Sequence, residues 1–390
     1  VSGERSAAER EAAAAERARK RAPAAAGAVP PPPPSAFGES TSAPVPAPVL
    51  RERPARTDGS SPRPAVPAAL GGLTAALAGL TATTDGRRRL AGVAGAVLVV
   101  LALLFVVRGG GDDNKAAKAA AAADLKNAPP QLPGGGRTIF PGRRVVAFYG
   151  NPQDAGLGIL GIGRQSTMLA KLRKQAAPYA RKTRPVLPAL ELITTVAAAS
   201  PGADGSYTLH TPPAVIDRYL RAARKAKALL ILDIQPGLND FPTEMRRLIR
   251  WLKEPDVSLA LDPEWRVQPG QVPGKVIGSV TAAEVNRTTA DLAQLTQANH
   301  LPQKLLVIHQ FTEGMVSNPE LVANRHGLAT VFNVDGFGAK PNKVNKYKAL
   351  VVGKERFHHG FKLFYQEDLG LMKPASVMAL TPRPDLIVYE

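Results

Sequence analysis

The chain has 390 residues, a formal net charge of +18 and no cysteine. This composition excludes disulfides, thiolate metal sites and cysteine nucleophiles. The charge suits an anionic polymer or lipid surface, and the lack of zinc-finger spacing and of basic–aromatic interleaving argues against nucleic acid as a partner.

Residues 1–86 read as a disordered cytoplasmic region. AVPPPPPSAF (28–37) and SSPRPAVPAA (60–69) are rich in proline and poor in large apolar residues, so burial cannot offset their chain entropy. ERSAAEREAAAAERARKR (4–21) has helical composition but no apolar stripe with which to pack. Residues 87–108 read as one transmembrane helix with a basic flank. Within them, residues 90–107 are 18 consecutive uncharged, apolar or small residues, a length that spans a bilayer. Arg87, Arg88 and Arg89 precede the run, and Asp112 and Asp113 follow Arg108. That bias predicts a single pass through the cell membrane, with the N-terminus inside and the C-terminal domain extracytoplasmic. Residues 109–136, with GGG twice and an alanine–lysine run, read as a flexible tether.

Residues 137–390 remain to bury a core. Eight strand-like runs occur there, at 143–150, 186–193, 228–235, 257–265, 304–311, 328–337, 361–368 and 386–390. Segments of helical composition lie between them, at 166–182, 212–228, 242–254 and 281–299, with shorter ones at 341–352 and 368–379. TAAE at 281–284 is a capping-box pattern. Apolar strands alternating with helices predict an α/β fold with a parallel sheet. Eight of them in about 250 residues predict a (β/α)8 TIM barrel. The first turn, YGNPQDAGLGILGIG (149–163), lacks the G-x-G-x-x-G spacing of a doubly wound sheet.

Active sites of such barrels sit at the C-terminal strand ends. In this chain those ends carry Tyr149, Glu191, Asp233 with Gln235, Asp262 with Glu264, His309, Asp335, Tyr365 with Glu367, and Glu390. Side chains two apart share a strand face, so Asp262 with Glu264, Asn333 with Asp335, and Tyr365 with Glu367 are expected to converge on one polar cup. Trp265 falls one residue out of phase and lines the adjoining loop, to stack on a ligand or to pack against a helix. Many carboxylates and few histidines suit glycosidic hydrolysis, which needs a protonated carboxyl and a second carboxylate. The expected catalytic pair is Glu264 as acid/base and Glu367 as nucleophile. Glu191, Asp233, Gln235, Asp262, Asp335, Tyr149, Tyr365, Trp265 and His309 are the expected substrate-binding residues. No cofactor and no resident metal are expected.

The arrangement resembles glycoside hydrolases built on (β/α)8 barrels, and LDPEW (261–265) resembles the acidic strand ends of chitinase-like and lysozyme-like members. That resemblance implies acid/base and nucleophile glutamates at the ends of strands four and seven, where Glu264 and Glu367 fall. Over 87–390 the pattern also resembles uncharacterised membrane-anchored surface proteins of actinobacteria, which implies a cell-surface location. The expected function is therefore a membrane-anchored extracytoplasmic glycosidase-like hydrolase acting on a cell-wall or surface polysaccharide. Three alternatives stand beside it. One is a metal-dependent, phosphodiesterase-like hydrolase using Glu191, Asp233, Glu264, His309 and Asp335. The second is a noncatalytic carbohydrate-binding barrel. The third is a passive wall anchor, in which the basic surface matters and the polar cup does not. Residues 131–390 hold 33 basic and 21 acidic side chains, a net +12, which favours encounter with anionic surfaces in every case. The sequence carries no signal of oligomeric state.

Overall fold

The computed structural model describes residues 129–353 and 355–390. The expected disordered region (1–86), the expected membrane helix (87–108) and most of the expected tether lie outside the described residues. Among the described residues, no helix is long and apolar enough to cross a membrane. The last residues assigned to the tether join the folded unit: Leu132 is buried, and Arg137 donates to the Pro130 carbonyl.

The elements follow in chain order as β1 (Arg144–Gly150), α1 (Gln165–Ala176), β2 (Val186–Ala197), β3 (Thr208–His210), α2 (Pro213–Ala226), β4 (Leu229–Ile234), α3 (Phe241–Arg247), α4 (Ile249–Leu252), β5 (Val257–Leu261), β6 (Val280–Thr281), α5 (Ala282–Ala298), β7 (Lys304–Gln310), β8 (Val316–Ser317), β9 (Leu328–Val334), α6 (Lys340–Leu350), β10 (His358–Leu363), α7 (Pro374–Met378) and β11 (Leu386–Tyr389). Strands β1, β2, β4, β5, β7, β9, β10 and β11 pair in that order, all parallel, and β11 pairs back onto β1. The sheet closes into an eight-stranded barrel flanked by helices, as the alternating runs predicted. β3 is a short antiparallel addition to the end of β2, and β6 pairs with β8 above the barrel.

Alternation divides the strands between two cores. Val145, Ala147, Ala189, Ile231, Ala260, Val307, Val331 and Val388 point into the barrel. Val146, Phe148, Leu190, Leu232, Leu259, Ile308, Phe332, Phe361 and Ile387 point outward to the helices. Half of the predicted capping box forms: the Thr281 side chain accepts the Glu284 amide, but the Glu284 carboxylate is held instead by Arg266 and the Phe241 amide. The segment 242–254 is two short helices broken at Leu248.

β2 runs on to Ala197, β5 and β9 stop early at Leu261 and Val334, and one strand is displaced along the chain. β10 covers His358–Leu363, where a run over 361–368 was expected. His358 and His359 begin it, paired in register with Val331 and Phe332 of β9. The chain leaves the barrel after Leu363 because the Asp368 carboxylate folds the following turn back. It accepts the Phe364 and Gly338 amides and pairs with Lys343 at 2.9 Å.

The loops on the C-terminal face are stitched to one another at Gly237. Leu238 donates to the Ser206 carbonyl and Val267 donates to the Gly237 carbonyl. Gly237 has φ +59°, and a Cβ there would press into the backbone oxygens of Ser206 and Tyr207. Gly237→Ala is therefore expected to destabilise the domain by about 1–3 kcal/mol, the cost of a strained left-handed residue with no room to relax. Urea denaturation monitored by tryptophan fluorescence would check this.

Candidate functional site

At the C-terminal mouth every barrel strand contributes one inward polar side chain, continuing the phase of its apolar interior residues. These are Tyr149 (β1), Glu191 (β2), Asp233 (β4), Asp262 (one residue past β5), His309 (β7), Asn333 (β9), Lys362 (β10) and Glu390 (one residue past β11). All eight are at least nine-tenths buried. An apolar barrel thus carries a closed ring of ionisable and polar groups at the end where such barrels place their chemistry.

The ring is wired in two halves. On one side the Tyr149 hydroxyl lies 3.0 Å from Asp233 Oδ2 and 3.3 Å from Asp262 Oδ2. The Gln235 side-chain amide donates to the same hydroxyl at 3.3 Å, and its carbonyl accepts the Ala197 amide. On the other side His309 bridges two carboxylates. Its Nε2 is 2.9 Å from Glu191 Oε1 and its Nδ1 is 3.1 Å from Asp335 Oδ2. Asn333 donates to Asp335 at 2.5 Å. The Lys362 ammonium lies 2.9 Å from Glu390 and 3.3 Å from Asp335. It also sits 3.6 Å above the Tyr149 ring centre, joining the halves through a cation–π contact. Gly360 makes room for this packing, since a Cβ there would overlap the Asn333 side-chain amide.

Burial sets the protonation states. Removal from water pushes the Asp233 carboxyl up to about 7, and Glu191 adds to the shift against the opposing pull of His309, Lys362 and the Tyr149 hydrogen bond. Burial, then Glu264 and Asp233, push Asp262 well above the usual carboxylate range. For His309, burial acts downward, but Asp335 and Glu191 together outweigh it and hold the imidazole well above its ordinary value.

The structure brings Tyr149, Glu191, Asp233, Gln235, Asp262, His309 and Asp335 into this network. Glu264 lies beside it, on the single 3-10 turn Pro263–Trp265 that follows β5, nine-tenths buried and close enough to act on Asp262. Trp265 on the same turn is packed away from solvent, 2% exposed, and its indole N–H has no hydrogen-bond partner. Tyr365 and Glu367 are placed differently from the sequence expectation. With β10 ending at Leu363, both lie on the loop beyond it. Tyr365 turns outward, stacked on Tyr389 with its hydroxyl donating to Gln175 of α1, and Glu367 is half-buried on the same loop. Lys362 was absent from the expected set. Its signal was a lone lysine in FKLF (361–364), in the inward phase of an apolar strand. Among the described residues, Glu191, Asp233 and His309 each offer one ligand atom within 4.8 Å of the others.

No protein-family model matches this chain, and no curated protein matches it. Solved structures do. A mutant form of Thermotoga maritima Cel5A with cellobiose substrate shares 10% identity over 64% of this chain and 88% of that one, with a TM-score of 0.36. The spore coat polysaccharide biosynthesis protein spsE of Bacillus subtilis shares 11% over 63% and 59%, with a TM-score of 0.36. A trimodular endoglucanase of subfamily GH5_4 shares 8% over 63% and 54%, with a TM-score of 0.35. At these values the likenesses carry no argument. The barrel is fixed by its own strand order.

Proposed function

We propose that this chain is a glycosidase-like hydrolase of an anionic surface polysaccharide, working at the carboxyl side of the polar ring. The observation that carries the reading is the single Tyr149 hydroxyl between two buried carboxyls, at 3.0 and 3.3 Å. A hydroxyl has one proton to donate, so satisfying both contacts requires a proton on Asp233 or Asp262. A buried carboxyl that keeps its proton is the group needed to protonate a departing glycosidic oxygen.

Asp262 is the proposed donor, because the chain leaves β5 there and carries Glu264 two residues later. Glu264 supplies the second carboxyl, as acid/base partner, on the turn nearest the rim. Glu367, on the loop after β10, is a further rim carboxylate and the competing candidate for nucleophile. The anchor over residues 87–108, with the barrel outside the cell membrane, is part of the same proposal. Four cations suit encounter with an anionic polymer rather than its cleavage: Arg173, Arg218, Arg221 and Lys225 line a surface cleft of about 440 Å³ between α1 and α2, to which no residue of the ring contributes. None of them has an ion-pair partner among the described residues.

The test is release of reducing ends from an anionic wall polysaccharide by the full chain and three variants. Asp262→Asn and Glu264→Gln are expected to lower kcat by about 10²-fold, the lower range for loss of a general acid or base. Glu367→Gln is expected to stay within a few-fold of the parent. A loss at Glu367→Gln equal to that at Glu264→Gln would move the second carboxyl to Glu367. Saturable binding without turnover in the parent would leave a carbohydrate-binding barrel and overturn the hydrolase reading.

A further inference from the structure

We infer that the barrel mouth holds a divalent transition-metal ion, zinc or manganese in class, ligated by Glu191, Asp233 and His309. The three side chains come from β2, β4 and β7 and are at most 1% exposed. One ligand atom from each lies within 4.8 Å of the other two, a spread that one ion can draw together at bonds of roughly 2.0–2.2 Å.

Two further observations are independent of that spacing. Glu191 Oε2 and Asp233 Oδ1 are both buried with no hydrogen-bond partner. Each has its sister oxygen already engaged, Glu191 Oε1 by His309 and Asp233 Oδ2 by Tyr149. A buried carboxylate oxygen with no donor is costly, and one cation between the two neighbouring strands would satisfy both. Lys362 pairs with Asp335 and Glu390, and its charge also bears on Asp233.

The second observation is the far side of the imidazole. Asp335 accepts from His309 Nδ1 at 3.1 Å and is itself held by Asn333 and Lys362. A carboxylate at Nδ1 keeps the proton on that nitrogen, so that Nε2, which faces Glu191, is the nitrogen free to give up its proton to a metal, and this is the support that metal-bound histidines need. One imidazole nitrogen with two carboxylate oxygens suits zinc or manganese, whereas magnesium and calcium prefer all-oxygen sets. A metal takes the Nε2 lone pair, so a proton on that nitrogen leaves on loading. This site stands whether or not the barrel cleaves glycosidic bonds.

The experiment uses the full chain, stripped with chelator and titrated calorimetrically with zinc, manganese and magnesium in two buffers of different ionisation enthalpy. One equivalent of zinc or manganese per chain is expected, with net proton release and weaker magnesium binding. Glu191→Gln, Asp233→Asn and His309→Gln are each expected to weaken binding at least tenfold, whereas Glu320→Gln, at an exposed loop site, leaves it unchanged. Thermal melts of the stripped variants separate misfolding from ligand loss. Metal-dependent stabilisation seen in the parent and absent from a folded variant supports the site. No saturable binding by the folded parent, or binding that all three variants keep, overturns it. Metal binding without sugar hydrolysis would overturn only the hydrolase reading. Hydrolysis by stripped protein that binds no added metal would overturn only the metal site.

Discussion

Lys362→Met is expected to destabilise the barrel by about 3–5 kcal/mol, the usual cost of removing one partner from a buried ion pair. Lys362 is fully buried on β10 between Asp335 and Glu390, with its ammonium over the Tyr149 ring. Methionine fills a similar volume, so cavity formation contributes little. What is lost is the cation facing two carboxylates in a place water does not reach, together with the cation–π contact. The same lysine lowers the proton affinity of Asp233 and Asp262, so in the variant both carboxyls hold their protons to higher pH. Denaturant unfolding measures the loss. The double variant Lys362→Met/Glu390→Gln is expected to recover part of it, because one uncompensated charge is then gone. If the single variant unfolds like the parent, the ammonium is not the counter-ion of this ring. If the double variant is no better than the single, Glu390 is not its principal partner.

The barrel was legible because its signal is repetitive. Eight apolar runs separated by helical segments leave few other architectures, and a shift of a few residues at one strand does not alter the count. Seven of the ring's residues were legible for the same reason: Tyr149, Glu191, Asp233, Asp262, His309, Asn333 and Glu390 each fall in the second half of a run, and the C-terminal parts of such strands are where sequence marks a change of environment. Lys362 was not, because it falls second in its expected run, at 361–368, and a lysine flanked by phenylalanine and leucine reads equally as an outward residue of an exposed strand. Its direction depends on register, and β10 was placed three residues late. That error also drew Tyr365 and Glu367 toward the cup. Its cause is tertiary. Asp368 turns the chain by accepting the Gly338 amide from the loop after β9 and by pairing with Lys343 of α6, contacts about 25–30 residues away in sequence that no local pattern encodes. The start of the strand was missed for the opposite reason: polar residues opening a strand look like the loop before it, yet His358 and His359 pair in register with β9.

A second buried lysine is expected to behave in the opposite sense. Lys304 opens β7 at the other end of the barrel and is fully buried, its ammonium donating to the carbonyls of Glu254 at 2.9 Å and Val257 at 2.7 Å. Burial pushes it down from 10.5 to about 7, against weak upward pulls from Asp256 and Glu254. Because the folded value is depressed, the unfolded chain binds the extra proton between pH 7 and 10.5. Below pH 7 both states are protonated and the full cost of a buried cation is present. As pH rises toward 10.5 that cost is relieved, by about 5 kcal/mol in all at roughly 1.4 kcal/mol per pH unit. The informative quantity is the stability of Lys304→Met minus that of the parent, since other titrations cancel in the difference. It is expected to be most favourable to the variant at pH 6–7 and to fall steadily toward pH 10.5, offset throughout by the two carbonyls that lose their donor. A difference that stays flat over that range would show that the ammonium keeps its ordinary proton affinity. The contrast with Lys362 follows from the partners. A buried lysine facing carboxylates stabilises by neutralising them, whereas one facing only carbonyls keeps its hydrogen bonds at the expense of its charge.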